Sequence, residues 1–276
     1  MTERADGPTI LALDFDGVLC EGTREYFETS RRTYRRIWPE APVPSDDLLP
    51  AFQDLRPVIE TGWEMPVLVK ALVDGVPRAR LESTWPAARD ELVGGGETAR
   101  ADLVKRLKKT LDGVRREWIA ADRADWFAKH GLYCERAEVG RLVARPEQTV
   151  IVTTKEGEFA KLLLEHWGIA VHRIQGKEAG SHKCDNLREL IASGEAAGGH
   201  RPRLWFVEDR LETLRCVTTH PDLADVGLFL AAWGYTTERA RESARRSERI
   251  RLLSLEEFRG GVSAWPAAGG RRAGMV

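Results

Sequence analysis

The residues best able to do chemistry stand in four short stretches. In the first, Asp14 and Asp16 flank Phe15, directly after the apolar run Ile10-Leu-Ala-Leu13 and directly before Gly17. Side chains two apart on an extended chain face the same way, so this spacing aims both carboxylates into one place. Two adjacent carboxylates do not share one protonation state, because charging the first raises the pKa of the second. With a divalent cation on one of them, the pair can split into an ionised nucleophile and a protonated acid. Gly17 lets the backbone turn sharply and come close to a ligand. A surface aspartate turn is the plainer reading. A fully apolar strand ending in Asp-x-Asp-Gly favours the chemical one.

The other three stretches are weaker taken singly. Thr153 and Thr154 close the β-branched run that starts at Thr149. A hydroxyl beside the N–H groups that open the next helix suits a phosphate, although Thr is also a routine helix cap. Lys183 opens a later helix, where a lone lysine is ordinarily solvated surface. Glu208 and Asp209 follow the apolar run Leu204-Trp-Phe-Val207, where capping of the next helix is as good an account as function.

The elements that must position these groups divide the chain. Thr9 to Asp14 reads as a buried strand, apolar on both faces. From about Glu21 to Arg145 the periodicity is helical. Phe27, Ser30, Tyr34 and Ile37 share a face that Pro39 ends, and Leu103, Leu107, Leu111, Val114 and Trp118 form a second stripe. Prolines at 39, 42, 44 and 50 and the run Gly94-Gly95-Gly96 break this region between helices. From Thr149 strands and helices alternate. The helix carrying Phe159, Leu162, Leu163 and His166 ends at Gly168. It is followed by a strand at Val171–Ile174, a helix from about Lys183 to Ala192, a glycine-rich loop over 194–199, and strands at Leu204–Val207, Val226–Ala231 and Ile250–Leu253. Such alternation predicts an α/β fold: a Rossmann-like parallel sheet core, here with an all-α insertion after its first strand. The predicted core covers 1–19 and 147–276, and the helical insert covers 20–146. In open parallel sheets ligands sit beyond the carboxyl ends of the strands, the place where the four stretches fall. The Gly- and Arg-rich tail from Ala267 reads as disordered.

Composition narrows the classes. With 276 residues, 42% hydrophobic and 31% charged, the chain can bury a real core and is neither a disordered chain nor a disulfide miniprotein. Its longest apolar run, Val226 to Trp233, is far short of the ~20 residues that span a bilayer. The first eight residues carry Glu3 and Asp6 and do not read as a signal peptide. A net charge of −1 offers no basic excess for a nucleic-acid backbone. The expectation is therefore a cytoplasmic protein with neither a nucleic acid nor a membrane as partner; its oligomeric state stays open. Cys20, Cys134, Cys184 and Cys216 are scattered with no Cys-x-x-Cys, and read as buried free thiols in a reducing compartment, with no zinc cage.

Taken in order, Asp14-x-Asp16-Gly17, apolar-Thr153, Lys183 and apolar-Glu208-Asp209 resemble the haloacid dehalogenase superfamily. The resemblance spans the whole predicted core, and an insert directly after the first strand resembles the subclass with a helical cap. It implies a Mg²⁺-dependent phosphatase of a small phosphorylated metabolite. Asp14 would be the nucleophile that becomes an aspartyl phosphate, and Asp16 the acid and base. Thr153, with Thr154, and Lys183 would bind phosphate. The metal would be held by Asp14, Asp16 through its backbone carbonyl, Asp209 and Glu208. One departure leaves the metal set open: the further Asp that many members carry four residues after the fourth-motif Asp is here Thr213, preceded by Glu212, so Glu208 is the second acid on offer. Asp16 favours phosphoryl transfer over dehalogenation, since the dehalogenases lack that acid. Phosphonate cleavage would call for a cap lysine such as Lys70. A phosphoglucomutase-like phosphotransferase and a non-catalytic scaffold of this fold are the alternatives.

Within the insert, Arg56, Glu60, Trp63 and Glu64 surround a glycine and are the candidates for reading a leaving group, although a structural role has the better odds. Trp38, Trp85, Trp118 and Trp126 read as core. The basic clusters Arg31-Arg32 with Arg35-Arg36, and Lys105-Arg106 with Lys108-Lys109, read as solvated faces.

Overall fold

The structure is a computed structural model that describes residues 7–144, 148–180 and 182–268. Most of the C-terminal tail expected to be disordered lies outside the described residues. The chain forms two compact units, one of Met1–Glu21 with Leu132–Val276 and one of Gly22–Gly131.

The first unit opens with β1 (Ile10–Leu13), all four residues buried. The chain then passes through β2 (Cys20–Glu21) into the second unit and returns at β3 (Gly131–Leu132). The second unit is helical: α1 (Thr23–Ile37), α2 (Leu49–Leu55), α3 (Glu64–Val73), α4 (Arg78–Val93), α5 (Glu97–Ala121) and α6 (Arg123–Ala128). After β3 come α7 (Arg136–Ala144), β4 (Gln148–Val152), α8 (Gly157–Trp167), β5 (Arg173–Gln175) and α9 (Lys183–Gly198). The chain continues as β6 (Leu204–Glu208), α10 (Leu211–Thr218), β7 (Gly227–Ala231), α11 (Glu238–Arg245), β8 (Ile250–Leu253) and α12 (Leu255–Gly260).

The sheet is six-stranded, parallel throughout, in the order β5-β4-β1-β6-β7-β8. This is the α/β, Rossmann-like architecture that the alternating pattern predicts. β1 lies centrally, with Leu13 opposite Ile151 of β4 and Val207 of β6, so the residues just past these three strands share one edge of the sheet. Strands buried on both faces need apolar side chains, which is why β1, β7 and the Val150–Val152 part of β4 read as unbroken runs and not as alternations.

α9 differs from expectation. It runs on to Gly198, through the stretch read from sequence as a glycine-rich loop. Glu195, Ala196 and Ala197 are good helix formers, and Gly194 is a packing residue: a methyl there would sit 2.7 Å from Cγ of Pro202 and 3.2 Å from Cδ1 of Ile10. The glycine allows close approach to the start of β1 and does not interrupt the helix.

In the helical unit α1 buries Phe27, Ser30, Tyr34 and Ile37, and ends at Ile37 before Pro39. α5 buries Leu107, Leu111, Val114 and Trp118. The two helices are tied by a buried ion pair, Arg115 Nε to Glu25 Oε1 at 2.7 Å, and Glu25 also accepts from Thr29 Oγ1 at 2.6 Å. Trp85, Trp118 and Trp126 are buried, as a core role requires, while Trp38 and Trp63 are half-buried. Of the basic clusters, Arg35, Arg36, Lys105, Arg106, Lys108 and Lys109 are exposed, but Arg32 lies over the Trp118 ring at 4.1 Å and Arg31 pairs with Asp46. Among the described residues no helix is long and apolar enough to cross a membrane.

Candidate active site

The acids of the first and fourth stretches meet. Because β1 lies beside β6, the Asp14 N–H donates to the Val207 carbonyl at 2.9 Å, and Asp14 stands level with Glu208. Carboxylate oxygens of Asp14, Glu208 and Asp209 lie within 4.8 Å of one another, and all three residues are buried. Lys183, at the start of α9, brings its Nζ to 3.0 Å from Asp14 Oδ2 and 2.5 Å from Glu208 Oε2. Backbone N–H groups of three loops hold one further oxygen each: Phe15 N–H donates to Asp14 Oδ1 at 2.8 Å, Arg210 N–H to Glu208 Oε1 at 3.1 Å, and Tyr235 N–H to Asp209 Oδ2 at 2.7 Å.

Two of these buried carboxylates, Asp14 and Glu208, share one ammonium, and their titration follows. Burial pushes the Asp14 carboxyl up to about 7, with Glu208 and Asp16 adding to the rise and Lys183 opposing it. Glu208 is raised for the same first reason, burial, against the pull of Lys183. Burial alone would lower Lys183, but Asp14 and Glu208 outweigh it and hold the ammonium charged. The residual negative charge suits a divalent cation with oxygen ligands, so the donor set fits the metal that the motif order implies. Asp16 is not in this acidic group. As Glu208 has partners on both oxygens, it first of all orients Lys183.

Gly17 explains the packing around Asp209. Its φ is +87°, and a methyl built on it would overlap the Asp209 carboxylate. Only glycine lets the turn after Asp16 run against that side chain.

The two aspartates of the first stretch take different partners. β1 ends at Leu13, so strand alternation no longer governs Asp16, and the turn sends its carboxylate to Lys155, whose Nζ lies 3.0 Å from Oδ1 and 3.2 Å from Oδ2. The sequence reading did not single out Lys155. Lys155 lies three residues past β4 with its side chain only 4% exposed, so its ammonium needs a carboxylate; that burial is set by the fold and leaves no mark in the sequence pattern. Lys155 N–H also donates to Thr153 Oγ1 at 3.1 Å, and Thr153 N–H donates to the Gln175 carbonyl, which sets the loop after β4.

Thr153 is buried at the end of β4, next to β1, and Thr154 is exposed. The helix start beside them differs from expectation: the Gly157 N–H that opens α8 already donates to both carboxylate oxygens of Glu178, at 3.2 and 3.1 Å. The chain's own anion occupies the helix N-terminus, so what this corner offers a phosphate is the Thr153 side of the loop.

In the helical unit Glu64 is buried, and accepts from Glu60 N–H at 3.0 Å, Thr61 Oγ1 at 3.2 Å, Trp85 Nε1 at 2.8 Å and Arg89 Nη1 at 3.2 Å. That corrects the substrate-reading role considered for Glu64: its carboxylate is spent inside the unit. Trp63 is half-buried with Arg89 over its ring at 5.6 Å, Arg56 lies over Tyr26 at 5.4 Å, and Glu60 is exposed. Lys70, the lysine a phosphonate-cleaving reading would need, pairs with Asp74 at 2.8 Å. Glu212 is exposed and Thr213 half-buried on α10, outside the acidic group. A cavity lined by Thr9, Gln148, Gly194 and His200 opens at the opposite, N-terminal end of the strands, away from this chemistry.

No protein-family model matches the chain, and no curated protein matches it in sequence. Solved structures do match in fold. A candidate phosphoglycolate phosphatase from Lactobacillus delbrueckii subsp. bulgaricus superposes with a TM-score of 0.60 at 12% identity, covering 92% of this chain and 97% of that one. Protein Tyrosine Kinase A from Mycobacterium tuberculosis gives 0.56 at 19% identity, covering 92% and 98%. A haloacid dehalogenase-like family hydrolase from Streptococcus pneumoniae gives 0.51 at 13%, covering 90% and 94%. The chain has the fold of the haloacid dehalogenase-like hydrolases, including a helical unit inserted after the first strand.

Proposed function

We propose that this protein is a Mg²⁺-dependent phosphatase acting on a small phosphorylated metabolite. The observation that carries the reading is the convergence of Asp14, Glu208 and Asp209 within 4.8 Å, with Lys183 3.0 Å from Asp14. That is a place for one divalent cation and one phosphate, at the strand ends where such folds bind ligands. A fold shared with a protein named as a kinase does not by itself choose hydrolysis, so the weight rests on these residues.

Asp14 and Asp209, the backbone carbonyl of Asp16, and Glu208 directly or through water would hold the cation. Bound there, Mg²⁺ would neutralise charge on the phosphate. A carboxylate oxygen of Asp14 attacks phosphorus in line as the ester oxygen leaves, giving an acyl phosphate on Asp14. Asp16 gives its proton to the leaving oxygen, then takes one from the water that cleaves the acyl phosphate. The products are the free alcohol, inorganic phosphate and restored Asp14. Lys183 and Thr153 hold the remaining phosphate oxygens, and Lys183 offsets the repulsion between a dianion and these acids. Lys155 holds the Asp16 carboxylate in position between the two proton transfers. The site would work in the cytoplasm.

Hydrolysis of an aryl phosphate with and without Mg²⁺ tests the reading. Turnover that needs the metal and is lost in Asp14→Asn supports it; no turnover with any divalent cation sinks it. A panel of phosphorylated metabolites would identify the substrate. It should include phosphoglycolate, the compound in the name of the Lactobacillus protein.

A further inference from the structure

A second group of metal-ligating side chains lies in the sheet unit, apart from the acids. Cys184 stands in the first turn of α9, Cys216 in the last turn of α10, and His220 just beyond α10. Their two sulfurs and one ring nitrogen all lie within 4.8 Å of one another. The Cys184 and Cys216 sulfurs are 3.6 Å apart. The chain around Cys216 and His220 is held by Thr219 N–H to the Cys216 carbonyl at 3.1 Å and His220 N–H to the Val217 carbonyl at 3.2 Å. All four cysteines are free, and Cys20, Cys134 and Cys184 are buried as expected; the correction is confined to Cys216, which is exposed and stands beside Cys184.

The spacing can be compared with what a metal demands. Two thiolates on one tetrahedral Zn²⁺, with Zn–S bonds of ~2.3 Å, stand about 3.8 Å apart. The observed separation is within a few tenths of an ångström of that. A disulfide would need only the sulfurs, whereas the pairing with an imidazole four residues after Cys216 is a ligand arrangement, Cys-x-x-x-His on one side and a distant Cys on the other. Two thiolates neutralise a divalent cation; burial pushes the Cys184 thiol up and neighbouring Cys216 adds to the rise against the pull of Arg188, so a metal would have to displace the thiol proton as it binds.

We propose that Cys184, Cys216 and His220 form a site for a thiophilic divalent cation, Zn²⁺ foremost, with a fourth position open to solvent on the Cys216 side. The bound ion staples the start of α9 to the end of α10. Soft sulfur ligands separate this site from the all-oxygen acidic group, which suits Mg²⁺. The first turn of α9 also carries Lys183, so the staple holds the helix end that presents that lysine.

The experiment uses the full chain, reduced and stripped of metal, titrated with Co²⁺. A thiolate-to-cobalt charge-transfer band should rise to one equivalent and be displaced by Zn²⁺; cobalt on the acidic group has no sulfur ligand and gives no such band. Cys216→Ser, an exposed position that folding tolerates, should remove most of the band, and His220→Ala should weaken Zn²⁺ binding by at least about tenfold, the loss that even an outer partner of a zinc ligand causes. Zn²⁺ should raise the Tm of the parent chain but not of Cys216→Ser. Three results would each overturn the proposal: no charge-transfer band, a band of undiminished intensity in Cys216→Ser, or a Cys184–Cys216 disulfide that persists in protein isolated with a thiol reductant.

Discussion

At the scale of single residues the site depends on which carboxylate meets which ammonium. Lys183 serves Asp14 and Glu208, while Lys155 serves Asp16, so the proposed nucleophile and the proposed acid each have a cation of their own. Lys155→Met should lower kcat by between about tenfold and a hundredfold, part of the 10²–10⁴ that a positioned proton-transfer group supplies. Metal affinity, which the proposed ligands Asp14, Glu208 and Asp209 would set, should change little; an equal loss of both in steady-state kinetics and metal titration would contradict a positioning role. Gly17→Ala places a Cβ against the Asp209 carboxylate at a positive φ. It should cost about 1–3 kcal/mol of stability in denaturant unfolding and weaken Mg²⁺ binding as well.

At the scale of elements, the helical unit shows how a polar group can organise packing. Glu25 on α1 is fully buried, receives Arg115 of α5 through both carboxylate oxygens at 2.7 and 3.1 Å, and takes a longer bond of 3.3 Å from Trp126 Nε1 of α6. One carboxylate thus ties three helices. Arg115→Met leaves that charge buried without its cation, and should destabilise the protein by about 3–5 kcal/mol. The double change with Glu25→Leu should recover much of the loss, because no buried charge then remains. Denaturant midpoints for the two variants decide the matter.

At the scale of the whole molecule the buried acids link metal, pH and stability. The folded pKa of Asp14, about 7, lies above its ordinary 3.8, so its contribution to stability is fully present below 3.8 and is lost as pH rises through about 7. A cation needs the ionised form. Added Mg²⁺ should therefore raise Tm more at about pH 8 than at about pH 5.5, and its binding should release protons below about pH 7. Calorimetry in buffers of different ionisation enthalpy would detect those protons; uptake in place of release would show that Asp14 is not a ligand. Chelation should return Tm to the metal-free value.

By itself the sequence determined the parallel sheet, a helical stretch after the first strand and the acids at the strand ends; it carried that stretch on to residue 146, whereas the sheet unit resumes at Leu132. Those follow from local causes: apolar runs that only burial on both faces explains, stripes at helical spacing, and polar residues where each run stops. Asp14, Thr153, Glu208 and Asp209 were legible as candidates for that reason; Lys183, which follows no apolar run, entered only through the order of the motifs. Tertiary structure alone decided their partners. The Lys155–Asp16 contact spans 139 positions and the Cys184–Cys216 contact spans 32. No periodicity records such pairings, because they arise from strand order and from the direction in which each turn releases its side chain. The same reason places Glu178, and not a ligand, at the start of α8, and turns the Glu64 carboxylate inward among Trp85 and Arg89.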